Sequence, residues 1–297
     1  ASLRKSAYGE VIPACRHLVL DEAHQLEDVA TQYFGIAVSN HRVDDLLRDA
    51  DRLINSGFLA GGDAGLRKTL ARVHDHTRGF FDGLQLARRS RGTGGDDRLR
   101  IGPDWFGDVM DEGLMLLRAL DAFEGAMTLA GGGTSGATEA GRSANEDAIT
   151  IARRAAELRD ELRFLMAADD PKHVYFLEAR GRGIFLRAAP IDVSDVVREY
   201  LLDRRTTVLT SATLAVGGTF DYVKGRLGID EADEVRVPSE FDYRRQSVLY
   251  LPRKMPQPRD QGFAAAVADE VMALLRISQG RAFMLFTSYA SLRAVET

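Results

Sequence analysis

The sequence has a single cysteine, Cys15, in 297 residues, so no internal disulfide can staple it. Long apolar runs are missing too: a stretch such as Ala282 to Phe286 is far short of the roughly 20 residues that span a bilayer, which excludes a membrane-spanning helix. The chain begins at Ala1 without a basic, then apolar, then small-residue leader, and with one cysteine this gives a cytoplasmic expectation. Surplus positive charge is absent. A net charge of −5 and a pI near 5.8 give no bulk attraction to phosphate, so any nucleic-acid contact has to come from a local groove. No internal repeat or coiled-coil heptad stands out. What is abundant is apolar sequence, 45% beside 28% charged, enough to bury the core of two domains or one large one.

Along the chain the pattern reads as a βα start, a long helical middle and a βα end. His17 to Leu20 is a short apolar strand that ends in two acids, and Ala23 to Phe34 continues with helical spacing at Leu26, Val29, Ala30 and Tyr33. From about Val38 to Ala168 the apolar residues recur at helical spacing, as in Val43, Leu46, Leu47 and Leu53, or Met110, Leu114, Leu117, Leu120 and Phe123. Two glycine-rich polar stretches, Ser90 to Asp97 and Gly131 to Asn145, are expected to be loops. Strand character returns at His173 to Leu177 and Gly183 to Ala188, and a helix over Val193 to Leu202 leads to a strand at Thr206 to Thr210. There the chain is back in a βα sheet. A proline-bearing stretch from Val237 to Pro258 encloses a strand at Ser247 to Leu251, followed by a helix at Phe263 to Ile277 and a buried-type strand at Arg281 to Phe286. A domain boundary is expected near Val237.

The chemistry starts at Asp21-Glu22-Ala23-His24. Two adjacent carboxylates delivered by a buried strand to the carboxyl edge of a parallel sheet lie where α/β folds place ligand chemistry. In nucleotide hydrolysis one acid holds Mg²⁺, usually through water, while its neighbour polarises the attacking water. That assigns Asp21 to Mg²⁺ and Glu22 to the water, with His24 sensing the γ-phosphate. The plainer alternative is that Asp21 and Glu22 only N-cap the helix that follows. A second cluster, Ser211-Ala212-Thr213, ends the strand at Thr206 to Thr210 and sets two small hydroxyls beside those carboxylates. A contact there is a coupling element rather than a catalytic one, and its alternative is a hydroxyl cap on a following turn.

Together these segments resemble motifs II and III of superfamily 2 helicases, here LVLDEAH (Leu18 to His24) and VLTSATL (Val208 to Leu214). The nearer likeness is to DinG-like and XPD-like helicases. It is carried by DEAHQLEDVAT (Asp21 to Thr31), APIDVSDVVREYLLDRRTTVLTSATL (Ala189 to Leu214), FDYVKGRLGI (Phe220 to Ile229), FDYRRQ (Phe241 to Gln246) and GRAFMLFTSYASL (Gly280 to Leu292), which looks like motif IV. The resemblance implies a RecA-like motor domain of the P-loop NTPase class from residues 1–36 and 170–236. It also implies a helical arch-type insertion at 37–169 and the start of a second RecA-like domain at 237–297. It implies an ATP-dependent DNA helicase moving 5′ to 3′ on single-stranded or forked DNA, with ATP and Mg²⁺ as cofactors and a role in DNA repair or replication. The expected assembly state is a monomer. The wide gap from His24 to Ser211 favours this family over RNA helicases.

The departures matter as much. No G-x-x-x-x-G-K-S/T occurs, and Gly61, Gly62 and Gly65 followed by Lys68 do not fit it, so the loop that cradles ATP phosphates is missing from this sequence. The chain therefore reads as a fragment, expected to hydrolyse ATP poorly by itself, and a non-hydrolysing DNA-binding scaffold is the rival. Many relatives carry a four-cysteine iron–sulphur (4Fe-4S) cluster before the DEAH segment, whereas Cys15 alone supplies no ligand set and reads as a strand-edge residue. For DNA the candidates are Arg180 and Arg182 with Phe185, Arg244 with Tyr243 and Arg245, and Ser288 with Tyr289 after motif IV. Each is weighed against an ordinary solvated face or turn. Trp105, Phe106 and Met110 read as core of the insertion, and no cluster of acids there points to a nuclease.

Overall fold

A computed structural model describes residues 15–57, 63–91, 98–132 and 139–296. Contacts divide the chain into two units, Ala1–Glu234 and Val235–Thr297.

In the first unit β1 (His17–Leu20) pairs in parallel with β6 (Thr206–Leu209), in the register His17↔Thr206 to Leu20↔Leu209. The pairing continues one residue past the strands, where the Thr210 amide donates to the Leu20 carbonyl at 2.9 Å and the Ala23 amide to the Thr210 carbonyl at 3.0 Å. A short 3-10 turn at Ala23–Gln25 leads into α1 (Leu26–Phe34). Against this layer pack α6 (Ser194–Val197), continued as a π-helical turn Arg198–Leu202, and α7 (Asp221–Leu227). Their small core is Ala30, Val193, Val197 and Leu227, ringed by Leu26, Phe34, Leu209 and Ile229. Two arginines tie it down: Arg226 Nε donates to Glu27 at 2.7 Å, and Arg198 Nε donates to the Gly228 carbonyl at 2.7 Å.

Between α1 and α6 lies the larger part of the unit. Its helices are α2 (Asn40–Asn55), α3 (Asp63–Arg91), α4 (Met110–Gly131) and α5 (Glu139–Ala167). Each buries one stripe at three- and four-residue spacing: Val43, Leu46, Leu47, Ala50, Leu53 and Ile54 on α2, and Leu116, Leu120, Phe123 and Met127 on α4. Ser39 caps α2 by accepting from the Arg42 amide at 3.2 Å. Phe106 is fully buried in this core, with Trp105 and Met110 packed against it, while Leu114 faces outward.

A four-stranded antiparallel sheet closes the helical core. Its order is β2 (Ile36–Ser39), β5 (Gly183–Pro190), β4 (His173–Arg180) and β3 (Arg98–Ile101). Three differences from the sequence reading follow. The strands at His173 and Gly183 do not join β1 and β6 but pair with each other as a hairpin, Arg180↔Gly183 to His173↔Pro190, because a two-residue turn makes the local antiparallel ladder the easiest to close. Ile36–Ser39 and Arg98–Ile101 are strands, although Arg98–Ile101 and the end of the former fall in the block whose spacing reads as helical, because four residues each carry too little alternation to show. The glycine-rich stretches are also shorter than expected: Ser90 and Arg91 end α3, and residues 139–145 begin α5. Residues 92–97 and 133–138 lie outside the described residues. Among the described residues no helix is long and apolar enough to cross a membrane.

The second unit contains α8 (Tyr243–Gln246), α9 (Phe263–Ser278) and α10 (Tyr289–Glu296). Ser247–Leu251 and Arg281–Phe286, expected as strands, form no ladder among the described residues, and Phe283 and Leu285 are 100% and 96% exposed. Apolar composition favours a strand, yet only a neighbouring strand can complete its hydrogen bonds.

Candidate functional site

The parallel pairing of β1 and β6 puts Asp21-Glu22 and Ser211-Thr213 at one carboxyl edge. Glu22 takes a left-handed backbone, φ 51° and ψ 38°, uncommon for a residue with a Cβ. That turn swings its side chain back over the strand ends. His24 Nδ1 lies 3.2 Å from Glu22 Oε2 and 2.9 Å from Ser211 Oγ, and Ser211 Oγ is 3.5 Å from the same Glu22 oxygen. One carboxylate, one imidazole and one hydroxyl, separated by 187 to 189 residues in sequence across the pair, thus form a closed triangle.

The helix-cap alternative is not what the acids do. Neither Glu22 nor Gln25, at the cap positions of the turn and of α1, makes a side-chain cap bond. Asp21 Oδ1 instead accepts from the Glu22 amide at 2.9 Å. Ser211 does both things expected of it, since its hydroxyl also accepts from the Thr213 amide at 3.2 Å and lies 3.5 Å from Thr213 Oγ1. Ala212 is the exposed middle of that turn. Chemically, the triangle is a two-way hydrogen-bond relay. With its proton on Nδ1, His24 donates to Glu22; with Nδ1 bare, it accepts from Ser211.

The charge is open to solvent. Asp21 is exposed, and the Glu22 side chain is 62% exposed. No group of three or more His, Cys, Asp or Glu able to cage a metal exists among the described residues. A magnesium ion that arrives with phosphates needs no such cage, because one or two carboxylates and water suffice. Asp21, with one backbone bond and further acceptor capacity, fits that mode.

Of the expected DNA residues, Arg180 and Arg182 lie at the β4–β5 turn of the first unit. Arg180 bonds Glu178, and the Arg182 carbonyl accepts from Asn40 Nδ2 at 3.4 Å. Arg244, Ser288 and Tyr289 belong to the second unit. The Arg244 amide donates to Asp242, Ser288 Oγ accepts from the Ser291 amide at 3.1 Å, and Tyr289 is exposed at the start of α10. A turn-forming role therefore accounts for Ser288 in this structure. Cys15 is half-buried, two residues before the start of β1.

Glu178 is a residue the sequence reading does not single out. It is 4% exposed on β4, yet it accepts from three arginines of three strands: Arg98 at 3.2 Å, Arg180 at 2.8 Å and Arg187 at 2.9 Å. Burial pushes its carboxyl up, but the bonds from Arg187, Arg180 and Arg98 outweigh that and hold it below the usual glutamate value. The only sequence signal is alternation, as in Arg98-Leu99-Arg100-Ile101.

The fold and this edge define a mixed α/β protein with an acid–imidazole–hydroxyl cluster beyond the carboxyl ends of a parallel strand pair, where such folds bind ligands. No family model matches the chain. It is similar over nearly its whole length to proteins named as helicases. It is 30% identical over 295 residues to the ATP-dependent DNA helicase YoaA of Escherichia coli (strain K12), covering 98% of this chain and 43% of that protein. To YoaA of Haemophilus influenzae it is 28% identical over 297 residues, 99% of this chain and 43% of the relative. To the ATP-dependent helicase DinG of Mycobacterium tuberculosis (strain ATCC 25177 / H37Ra) it is 28% identical over 297 residues, 97% of this chain and 41% of the relative. The likeness to DinG-like helicases drawn from the motifs is borne out. The chain spans less than half the length of these curated relatives.

Proposed function

We propose that this chain carries the water-activating and coupling part of an ATP-driven DNA helicase. The observation that supports it best is the Glu22–His24–Ser211 triangle across β1 and β6. The helicase names of its relatives add to it. Asp21 is the residue that would hold magnesium through water, and the ion supplies charge neutralisation at the phosphates. Glu22 orients the attacking water. His24 reads the phosphate state, and Ser211 with Ala212 and Thr213 passes it along β6. In this reading residues 1–36 and 170–236 belong to a first RecA-like motor, 37–169 to an arch-type insertion and 237–297 to a second motor. The substrate is single-stranded or forked DNA, travelled 5′ to 3′ in repair or replication by a monomer.

The test is the ATPase rate of the protein from the full reading frame, with and without single-stranded DNA, beside Glu22→Gln. Loss of the water-orienting carboxylate should lower turnover on the order of 100-fold or more while nucleotide still binds. If parent and variant are both inactive, a non-hydrolysing scaffold replaces the motor.

A further inference from the structure

On the helical core's sheet, side chains alternate between two faces. Tyr175, Leu177, Ile184 and Leu186 point into the core. The opposite face carries Arg98 and Arg100 from β3, Phe176 and Arg180 from β4, and Phe185 and Arg187 from β5, placed side by side by the register. Among the described residues Glu178 is the only acid on that face of the four strands. Four arginines against one carboxylate is a local surplus of positive charge in a chain whose net charge is −5.

The surplus is organised. Glu178 fixes three guanidinia, and those of Arg98 and Arg187 also lie 5.4 and 5.9 Å from the centre of the Phe176 ring, a cation–π contact. One carboxylate cannot use the five N–H donors of each guanidinium, so most remain for an outside acceptor. Phe176 and Phe185 are only half-buried. Planar cations and aromatic rings interleaved on a sheet face are the chemistry that grips a phosphodiester backbone while stacking its bases.

We propose that this outer sheet face is a binding platform for single-stranded DNA, with Arg98, Arg100, Arg180 and Arg187 on phosphates and Phe176 and Phe185 against bases. The identity of the strand as DNA rests on the helicase reading above; the platform itself rests on the charge and ring arrangement. Only Arg180 and Phe185 were marked for DNA by sequence; the structure assigns the other four.

The probe is a fluorescein-labelled oligothymidylate of about twenty nucleotides, longer than the span of one such platform. Binding is read by anisotropy from low to high salt, using the protein from the full reading frame. Arg98→Ala/Arg180→Ala should bind about 10- to 30-fold more weakly near 0.1 M salt, with the slope of log affinity against log salt reduced by about 1.4. The control Arg118→Ala/Arg153→Ala removes the same charge from exposed positions of α4 and α5 and should match the parent. Equal behaviour of the two double variants overturns the platform. If the alanine pair loses its cooperative melt, Phe176→Leu decides. Several-fold weaker binding with an unchanged salt slope supports the platform, and undiminished binding overturns it. The two readings separate cleanly. If Glu22→Gln abolishes turnover while the arginine pair binds like the parent, the platform falls and the motor stands. If the parent has no ATPase but the arginine pair loses DNA, the platform stands and the motor falls.

Discussion

Glu178→Gln keeps the shape of a buried side chain and removes its charge, leaving Arg98, Arg180 and Arg187 around a neutral amide. A hydrogen bond to a charged group contributes about 1.5–3 kcal/mol when sheltered, but exposed ion pairs contribute about 1 kcal/mol or less. Arg98 and Arg180 are 61% and 62% exposed and fall in the weaker class, whereas Arg187 is 28% exposed and falls nearer the stronger one. Relief of carboxylate desolvation offsets part of the loss, so the net cost is about 2–3 kcal/mol. For a unit of this size that lowers Tm by about 5–10 °C. The pH dependence fixes the cause. The folded carboxyl sits below its ordinary value, so the unfolded chain binds more protons on acidification. The stabilisation is whole above the unfolded glutamate value of about 4.3 and is lost as pH falls through the folded one. Thermal melts of parent and variant should therefore differ by a constant margin at neutral pH and converge in acid. A gap that persists unchanged into strong acid, or no gap at pH 7, refutes the account.

Ser211→Ala removes the hydroxyl 2.9 Å from His24 Nδ1, a bond contributing about 1 kcal/mol. On the proposed motor reading, nucleotide turnover should stay within about fivefold of the parent on that energy, with strand separation on a labelled fork falling further. Equal losses in both assays would make the residue structural rather than coupling. Gly228 and Gly57 have nearly the same left-handed φ, +70° and +71°, but a Cβ at Gly228 would meet the Ser194 carbonyl oxygen at 2.6 Å, while one at Gly57 meets nothing within 4 Å. In urea titrations Gly57→Ala should cost about 1–2 kcal/mol from the left-handed backbone alone, and Gly228→Ala about 2–4 kcal/mol. A smaller loss at Gly228 than at Gly57 would show that the Ser194 contact relaxes freely.

What was legible in the sequence was what local pattern dictates. β1, β6, α1 and α9 follow from short apolar runs and helical spacing, and the spacing names Val43, Leu46, Leu47 and Leu53 of the α2 stripe while passing over Ala50 and Ile54. What depended on a partner was not. The hairpin of β4 and β5 was read as two strands, but which sheet they join is decided by β2 and β3, whose four residues carry too little pattern to betray a strand. Ser247–Leu251 and Arg281–Phe286 show the reverse error, since β-like composition cannot supply the neighbour a ladder requires. At the edge of β1 and β6 the residues announced themselves because strand ends and motifs coincide. The arginine-held Glu178 stayed hidden, for Arg98 lies 80 residues before it and nothing in either local stretch points to the other.

The pairing of β2 with β5 bears on the order of assembly. Ile36 and Ala188 are register partners, so the strand that leaves for the helices and the strand that returns lie side by side. Once that pair closes, the chain linking Leu20 to Thr206 behaves as a much shorter loop. The effective length falls about fivefold, which lowers the entropic cost of joining β1 to β6 by about 1.5 kcal/mol. The helical region, which separates Glu22 from Ser211 in sequence, is then also what brings them together: it must fold for the edge they share to form cheaply.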